Sequence, residues 1–242
     1  MPVKWFDTEV VRIYSVSDDL RIFYLKVDSE EPFTFKSGQF VTMDLPVSDK
    51  RLHRWKSYSI SNIPNEENII EFSISLYPTG LGTKYLFEEV KVGSHIKIKG
   101  PDGGFTLPDY LDKEYIFLCT GTGVAPFRSM LLNIFENNLN FKHIHLIYGT
   151  RYSKNILYED DFKRMTKENP NFEYDICLSR EQHLEKYHPG HIHSIYLEKY
   201  KEKSDNRMFY MCGWSQMIDQ AVLHLYTDLK YNRTQLVYEL YG

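Results

Sequence analysis

The chain has 242 residues, of which 42% are hydrophobic and 26% charged, a composition typical of globular proteins rather than disordered or fibrous chains. Its formal net charge of −4 at pH 7 provides no global attraction to nucleic acid or to an anionic membrane. No stretch approaches the ~18 apolar residues of a membrane span, and the N-terminal segment lacks the apolar run of a signal peptide, so we expect a soluble, cytoplasmic protein.

The first 110 residues are predicted to form short antiparallel strands. Four stretches alternate apolar with polar residues at the period of a half-buried strand, namely 41–45, 58–60, 69–77 and 96–98. Turn-rich segments separate these stretches. We therefore predict an antiparallel barrel or sandwich, with one short helix over 83–90.

After Pro108 the pattern changes to compact apolar runs that alternate with segments of helical length. The runs are 115–119, 143–148, 172–178, 207–212 and 235–241. Helical spacing predicts helices over 127–135 and 217–229, the second with Ser215 as a candidate N-cap. This alternation predicts a parallel sheet covered by helices, so we expect one domain over 1–110 and an α/β domain over 111–242.

The residues that follow each predicted parallel strand are candidates for ligand binding, because ligands of open parallel sheets bind at the carboxyl ends of the strands. The loop Thr120–Pro126 follows the first strand, and its backbone amides could receive an anion. A glycine-rich turn of this kind is also consistent with tight packing alone. The later strands end at Gly149–Arg151, at Ser179 and Arg180, and at Gly213.

The cysteines and histidines show no metal-site pattern. Cys119, Cys177 and Cys212 are far apart and form no C-x-x-C pair, which argues against a disulfide framework, a zinc site and an iron–sulfur cluster. The histidines between positions 143 and 193 lack a partnering pattern of cysteines or carboxylates. We expect no metal ion.

Six segments together resemble the motifs of the ferredoxin–NADP reductase family, in that family's order and over nearly the whole chain. They are Lys56-Ser57-Tyr58-Ser59, Gly80-Leu81-Gly82-Thr83, Gly100–Phe105, Gly121-Thr122-Gly123-Val124-Ala125-Pro126-Phe127, Tyr148-Gly149-Thr150-Arg151 and Cys212-Gly213. The resemblance implies a flavin-binding antiparallel barrel followed by a nicotinamide-nucleotide domain.

The resemblance implies that the barrel holds FAD. Tyr58 would offer its ring face and hydroxyl to the flavin, and Ser59 a hydrogen bond near the reactive nitrogen. Gly80 and Gly82 would let the backbone approach the pyrophosphate, and Thr83 would cap the short helix behind it.

The chain departs from the family at Lys56, where the family has arginine. A lysine is a point charge and not a planar fork, so its contact with the pyrophosphate would be less specific. Either Lys56 neutralises the pyrophosphate, or Arg54, two residues earlier, reaches the same phosphate. The sequence leaves both possibilities open.

The second half is expected to bind NADPH, with NADH possible. The resemblance implies nucleotide-binding roles for Thr120, Gly121, Thr122, Gly123, Pro126, Arg151, Ser179, Arg180 and Gly213. Ser179-Arg180-Glu181 resembles the S-R-E stretch that holds the 2′-phosphate of NADP. His191 stands where a second arginine is expected, which would weaken the phosphate clamp and make it pH-dependent.

The resemblance implies catalytic roles for Ser59, Cys212, Glu239 and Tyr241. The ending Glu239-Leu240-Tyr241 is similar to the E-x-Y ending of plant-type members, where the tyrosine stacks on the flavin. In this chain Gly242 follows. A last strand with alternating aromatic residues explains the same pattern equally well.

These features predict an FAD-dependent NADPH oxidoreductase that delivers electrons singly to a separate, acidic carrier such as ferredoxin or flavodoxin. The alternatives are an NADH-using flavin reductase or oxygenase reductase and a non-catalytic, nucleotide-binding regulatory subunit. The basic segment 50–56 would either dock the carrier or serve only the FAD phosphates. The sequence leaves the oligomeric state open.

Overall fold

A computed structural model describes residues 4–181 and 185–241. By internal contacts the chain divides into two units, Met1–Thr106 with Ala125–Asn133, and Leu107–Val124 with Ile134–Gly242. The expected boundary near residue 110 stays a prediction. No feature of the sequence indicates that Ala125–Asn133 belongs with the first unit.

Within the described residues, the first unit contains one antiparallel, barrel-like sheet of six strands, which confirms the predicted fold class. The strands are β1 (Trp5–Ser17), β2 (Leu20–Val27), β3 (Phe40–Asp44), β4 (Trp55–Ser59), β5 (Ile69–Ser75) and β6 (His95–Asp102). Their order in the sheet is β4-β3-β6-β1-β2-β5. The predicted alternation holds in β3, where Val41 and Met43 are buried in the core.

The hairpin of β1 and β2 is not predicted by the alternation of the sequence. β1 is long and largely exposed, and only Thr8 and Val10 along it are buried. Its register against β2 shifts between Val10 and Arg12, so the period of two is interrupted. A strand of this kind buries too few residues to give a clear hydrophobic pattern.

Two short helices accompany this sheet, α1 (Arg51–Arg54) and α2 (Leu81–Glu88). The helix predicted over 83–90 is therefore α2, which begins two residues earlier. Its N-cap is Gly80.

The second unit contains a parallel sheet, as predicted from the apolar runs. Among the described residues its strands are β7 (Leu111–Thr120), β8 (Phe141–Thr150), β9 (Phe172–Leu178), β10 (His188–Pro189), β11 (Arg207–Trp214) and β12 (Leu236–Tyr241). Their order is β10-β9-β8-β7-β11-β12. From β7 the chain passes to β8 on one side and later returns to β11 on the other, so the topological switch point lies at the end of β7.

The described residues after β7 also form the helices α3 (Ala125–Glu136), α4 (Glu159–Glu168), α5 (His193–Lys199) and α6 (Ser215–Leu223). The segment predicted as one helix over 217–229 is α6 followed by a π-helical turn, His224–Asp228. The prediction that Ser215 is the N-cap is wrong, because the helix begins at Ser215 and its cap is Trp214. The Ser215 hydroxyl instead donates a hydrogen bond to the Tyr241 carbonyl oxygen at 3.2 Å.

A buried histidine is the main polar element inside the second unit. His145, which is fully buried, lies 2.9 Å through Nε2 from Asp175 and 2.6 Å through Nδ1 from the Tyr200 hydroxyl. Because a carboxylate only accepts, Nε2–H donates to Asp175, and in the neutral ring Nδ1 accepts from Tyr200. Burial lowers the pKa of His145, and the hydrogen bond from His145 lowers the pKa of Asp175 to about 2.

We expect the protein to lose stability in acid because of this arrangement. Because the pKa of His145 is lower in the folded protein than in the unfolded chain, its contribution to the free energy of unfolding is complete above pH ~6.5. Below that pH the contribution decreases by at most ~1.4 kcal/mol per pH unit. The Asp175 contribution is lost at lower pH, between about 4 and 2. Urea unfolding at pH 7.5 and pH 5 measures the first effect.

The variant His145→Gln should be less stable at pH 7.5, by about 1–3 kcal/mol, and its stability should change less between the two pH values. His95→Gln is the control, because His95 is exposed on β6. An unaltered pH slope in His145→Gln would show that another group governs the acid sensitivity.

Candidate functional site

The loop at the switch point brings the ends of β7 and β11 into direct backbone contact. After β7 the residues Gly121–Val124 form a 3₁₀ turn that leads into α3. A Cβ atom on Gly123 would lie 2.4 Å from the Cys212 carbonyl oxygen and 2.5 Å from the Gly213 Cα. The Trp214 amide donates to the Thr120 hydroxyl at 3.2 Å. Gly123 is therefore required by this close approach.

Gly213 has a separate requirement for glycine. Its φ is +128°, a conformation that residues with a side chain rarely adopt, and a Cβ there would lie 2.7 Å from the Thr120 carbonyl oxygen. Thr120, Gly121 and Thr122 remain partly accessible, whereas Pro126 is buried. The loop thus offers backbone and hydroxyl groups at the edge where a parallel sheet binds its ligand.

Two arginines lie at the ends of the neighbouring strands β8 and β9. The Ser179 amide donates to the Thr150 carbonyl oxygen and the Arg180 amide to that of Arg151, both at 3.0 Å. Arg151 and Arg180 are exposed. The backbone therefore places two exposed arginines at adjacent strand ends, an arrangement suited to an anionic ligand.

The other members of the predicted phosphate clamp are arranged differently. The carboxylate of Glu181 accepts the Ser153 amide at 2.8 Å and so stabilises the turn Ser153–Asn155. Ser179 Oγ lies 3.5 Å from the Thr150 carbonyl oxygen, a long contact that leaves the hydroxyl available. His191 is exposed and follows Gly190, whose positive φ of +96° turns the chain away from β10.

The C-terminal strand β12 pairs with β11 and places Glu239 opposite Cys212. The Cys212 thiol is fully buried, and burial raises its pKa while a hydrogen bond with the Tyr241 side chain acts in the opposite direction. The Cys212 thiol is therefore neutral. It fills a small space in the core and does not act as a thiolate. The predicted roles of Cys212, Glu239 and Tyr241 toward the flavin stay predictions.

In the first unit, the predicted flavin motif is the strand β4. Ser57 is exposed and its hydroxyl lies 3.1 Å from that of Thr42, while Ser59 is buried. Tyr58 is half-buried and packs edge-on against Phe72 with ring centroids 6.5 Å apart, and burial raises its pKa. The Tyr58 hydroxyl therefore stays protonated and can donate.

The sequence leaves open whether Arg54 or Lys56 neutralises the pyrophosphate, and the contacts of these two residues differ. Arg54 is engaged by Asp44 through two hydrogen bonds of 2.8 and 2.9 Å. The stem of Lys56 lies over Gly82, where a Cβ atom would be 3.1 Å from its Cγ. Within the described part of the chain, no carboxylate pairs with Lys56. Lys56 is the more available cation at the start of α2.

The N-terminus of α2 lies beside Lys56. Its first helical hydrogen bond runs from the Lys84 amide to the Gly80 carbonyl oxygen, so the amides of residues 81–83 have no helical acceptor. Thr83 is in the first turn and its hydroxyl bonds the backbone of Tyr77 and Gly80. The prediction that Thr83 caps the helix is wrong, since Gly80 holds that position.

These features fit a diphosphate group. A close-packed glycine, the available lysine and amides without helical acceptors at a helix N-terminus are the donors that such an anion requires. Asp44, which removes Arg54 from this set, carried no signal in the sequence because it lies ten residues away on a neighbouring strand.

The described residues hold neither a membrane-spanning helix nor a metal cluster. No helix in 4–181 or 185–241 has the length and apolarity to cross a membrane. No group of three or more His, Cys, Asp or Glu side chains in these ranges could hold a metal ion.

Family models match most of the chain. Residues 7–107 match the oxidoreductase FAD-binding domain and residues 117–222 match the oxidoreductase NAD-binding domain. The chain therefore belongs to the ferredoxin reductase-type family of flavoprotein oxidoreductases, which confirms the resemblance noted in its motifs.

Two curated relatives illustrate the range of the family. The chain is 27% identical to one of the subunits of the Na(+)-translocating NADH-quinone reductase of Serratia proteamaculans (strain 568), over 99% of this chain and 68% of the relative. It is 29% identical to the anthranilate 1,2-dioxygenase electron transfer component of Acinetobacter baylyi, over 88% of this chain and 60% of the relative. The chain thus spans only part of the length of these proteins.

Solved structures share the fold at low sequence identity. The Amycolatopsis cytochrome P450 reductase GcoB has a TM-score of 0.86 at 22% identity, covering 99% of this chain and 70% of that chain. A ferredoxin NADP+ reductase from Neisseria gonorrhoeae, with bound FAD and NADP, has a TM-score of 0.80 at 20% identity, covering 98% of both chains.

Proposed function

We propose that the protein is an FAD-dependent NADPH oxidoreductase that supplies electrons to a separate one-electron carrier. The observation that carries the proposal is the edge of the parallel sheet, where the backbone contact of Gly123 with Gly213 adjoins the exposed Arg151 and Arg180. This edge offers amides for a dinucleotide and two cations for an additional phosphate.

Bound FAD would supply the redox chemistry, accepting a hydride from the nicotinamide and releasing electrons one at a time. Lys56 and the first amides of α2 would hold the pyrophosphate. Tyr58 would donate its hydroxyl to the flavin, and Ser59 would orient the reactive edge. In the second unit, Thr120 and the 121–124 turn would position the nucleotide.

The preference for NADPH rests on Arg180 and Arg151. Glu181, the one carboxylate in the S-R-E stretch, is engaged by the Ser153 amide. This contact holds the Glu181 carboxylate at the Ser153–Asn155 turn.

The carrier is proposed to be an acidic protein such as ferredoxin or flavodoxin in the cytoplasm. The Acinetobacter baylyi relative is named as an electron transfer component, which favours a carrier or an oxygenase component as acceptor. In the basic segment 50–56, Arg54 is held by Asp44 and the Arg51 guanidinium lies 4.7 Å from the Trp55 ring centroid. Lys50 and Arg51 are exposed, so they remain the candidates for steering an acidic partner.

The second candidate function is an NADH-using reductase component of an oxygenase system. The names of both curated relatives, one belonging to an NADH-quinone reductase and one to a dioxygenase system, favour it. Steady-state reduction of ferredoxin, flavodoxin, free flavin and a small dye, each with NADPH and with NADH, separates the two. Preference for NADH with every acceptor would overturn the proposal, and the absence of bound flavin would indicate a regulatory subunit.

Arg180→Ala should raise the Michaelis constant for NADPH about 10- to 100-fold and that for NADH less than about threefold. The reason is the loss of a charge-assisted phosphate contact worth about 1.5–3 kcal/mol. Arg164→Ala is the control, since Arg164 pairs with Glu168 on α4 at 3.1 Å. Equal changes for both nucleotides in Arg180→Ala would mean that Arg180 does not recognise the 2′-phosphate.

A further inference from the structure

A buried ion pair lies outside every motif described so far. Glu71 on β5 and Arg128 on α3 are 3.1 Å apart, and their side chains are only 7% and 14% exposed. Both belong to the first unit, which includes Ala125–Asn133. Burying two charges costs a large desolvation penalty, and apolar residues of similar size often stabilise as well. The pair therefore calls for a role other than stability.

The ion pair acts on the segment that follows the flavin motif. Arg128 Nη1 donates to the Ser61 carbonyl oxygen at 3.0 Å and to Glu71 Oε1 at 3.1 Å. The Ser61 hydroxyl lies 3.0 Å from the same Oε1 and 3.0 Å from the Glu71 carbonyl oxygen, either of which can accept its hydrogen. Arg128 thus holds the Ser61 carbonyl group, and the Glu71 side chain lies against both the Arg128 guanidinium and the Ser61 hydroxyl.

Three neighbouring hydrogen bonds hold the same segment. The fully buried Ser129 donates its hydroxyl to the Asn62 carbonyl oxygen at 2.6 Å. The Ser61 amide donates to the Glu71 carbonyl oxygen at 2.9 Å, and the Glu71 amide to Asn62 Oδ1 at 2.9 Å. Ser61 and Asn62 are therefore fixed in backbone and side chain.

This fixed point is adjacent to the residues proposed to meet the flavin. Ser61 follows Ser59 by two residues, and β4 ends at Ser59. The Ile60 amide between them donates to the Gln39 carbonyl oxygen at 3.0 Å. Movement of Ser61 would be transmitted through this short, extended segment to Ser59 and Tyr58.

We propose that Glu71, Arg128 and Ser129 are positioning residues that hold the end of β4 so that Ser59 and Tyr58 engage the flavin. This inference rests on the proposed FAD function. The hydrogen bonds of the charged pair fix the orientation of the Ser61 backbone and side chain. An apolar pair would fill the same space without orienting the backbone.

The test uses the double variant Glu71→Met with Arg128→Met, which removes both charges and keeps similar volume. We expect near-native urea unfolding of the flavin-free protein, an FAD affinity lower by about tenfold or more, and an altered visible spectrum of the bound flavin. Glu114→Met with Arg207→Met is the matched control, because this pair lies in the second unit at 2.9 Å. The control should leave FAD affinity and spectrum unchanged.

Ser129→Ala keeps the inference testable if the double variant fails to fold. It removes one hydrogen bond to Asn62 and should shift the flavin spectrum in the same direction, while the Michaelis constant for NADPH stays unchanged. A native spectrum and native FAD affinity in the folded double variant, or in Ser129→Ala when the double variant does not fold, would overturn the inference. Failure of the unaltered protein to bind FAD would instead overturn the proposed function.

Discussion

Gly123→Ala is expected to destabilise the second unit by on the order of 3 kcal/mol and to abolish nucleotide binding. The added Cβ atom would lie 2.4 Å from the Cys212 carbonyl oxygen and 2.5 Å from the Gly213 Cα. Both are backbone atoms, so no side-chain rotation relieves the overlap, and the ends of β7 and β11 must separate. Urea unfolding and equilibrium binding of NADP+ measure the two effects.

Gly104→Ala provides the control for this prediction. A Cβ on Gly104 meets no heavy atom within 4 Å, so the substitution should leave stability and binding close to those of the unaltered protein. If Gly123→Ala binds NADP+ with native affinity, the close approach of the strands does not form the nucleotide site.

Lys56→Met is expected to weaken FAD binding about 10- to 100-fold, which corresponds to a charge-assisted contact of about 1.5–3 kcal/mol. The apolar stem would still cover Gly82, and only the charge would be lost. Titration of the flavin-free variant with FAD, followed by fluorescence quenching, measures the change. FMN provides a comparison, because it lacks the pyrophosphate.

Arg54→Met is the matched comparison for Lys56. Its guanidinium is held by Asp44, so we expect a modest loss of stability and little change in FAD affinity. The reverse outcome, in which Arg54→Met loses FAD and Lys56→Met keeps it, would assign the pyrophosphate to Arg54.

The fold could be predicted where burial leaves a clear pattern in the sequence, either alternating as in β3 or continuous as in β7 and β8. Residues 115–119 of β7 and 144–149 of β8 are buried throughout, so these two strands stand out as compact, mostly apolar runs. β1 was missed because it is mostly exposed and its register shifts. Within Ala125–Asn133, Arg128 and Ser129 bind Ser61 and Asn62 of the same unit, partners that are distant in sequence.

The sequence predicts where the candidate site lies but not the contacts that its residues make. The order of motifs locates the loop 120–126 and the strand β4, because local patterns mark strand ends. Lys56 is more available than Arg54 because Asp44 binds the Arg54 guanidinium. Glu181 stabilises the Ser153–Asn155 turn through a hydrogen bond between residues 28 positions apart in the sequence. Such pairings arise only when the chain folds.

Anaerobic titration of the FAD-loaded protein with NADPH tests the central claim most directly. The account predicts that the flavin absorbance bleaches with one equivalent of NADPH, faster and at lower concentration than with NADH, and recovers on addition of an oxidised one-electron carrier. A flavin that NADPH leaves oxidised, while the nucleotide is demonstrably bound, would contradict the assignment of this protein as an NADPH oxidoreductase.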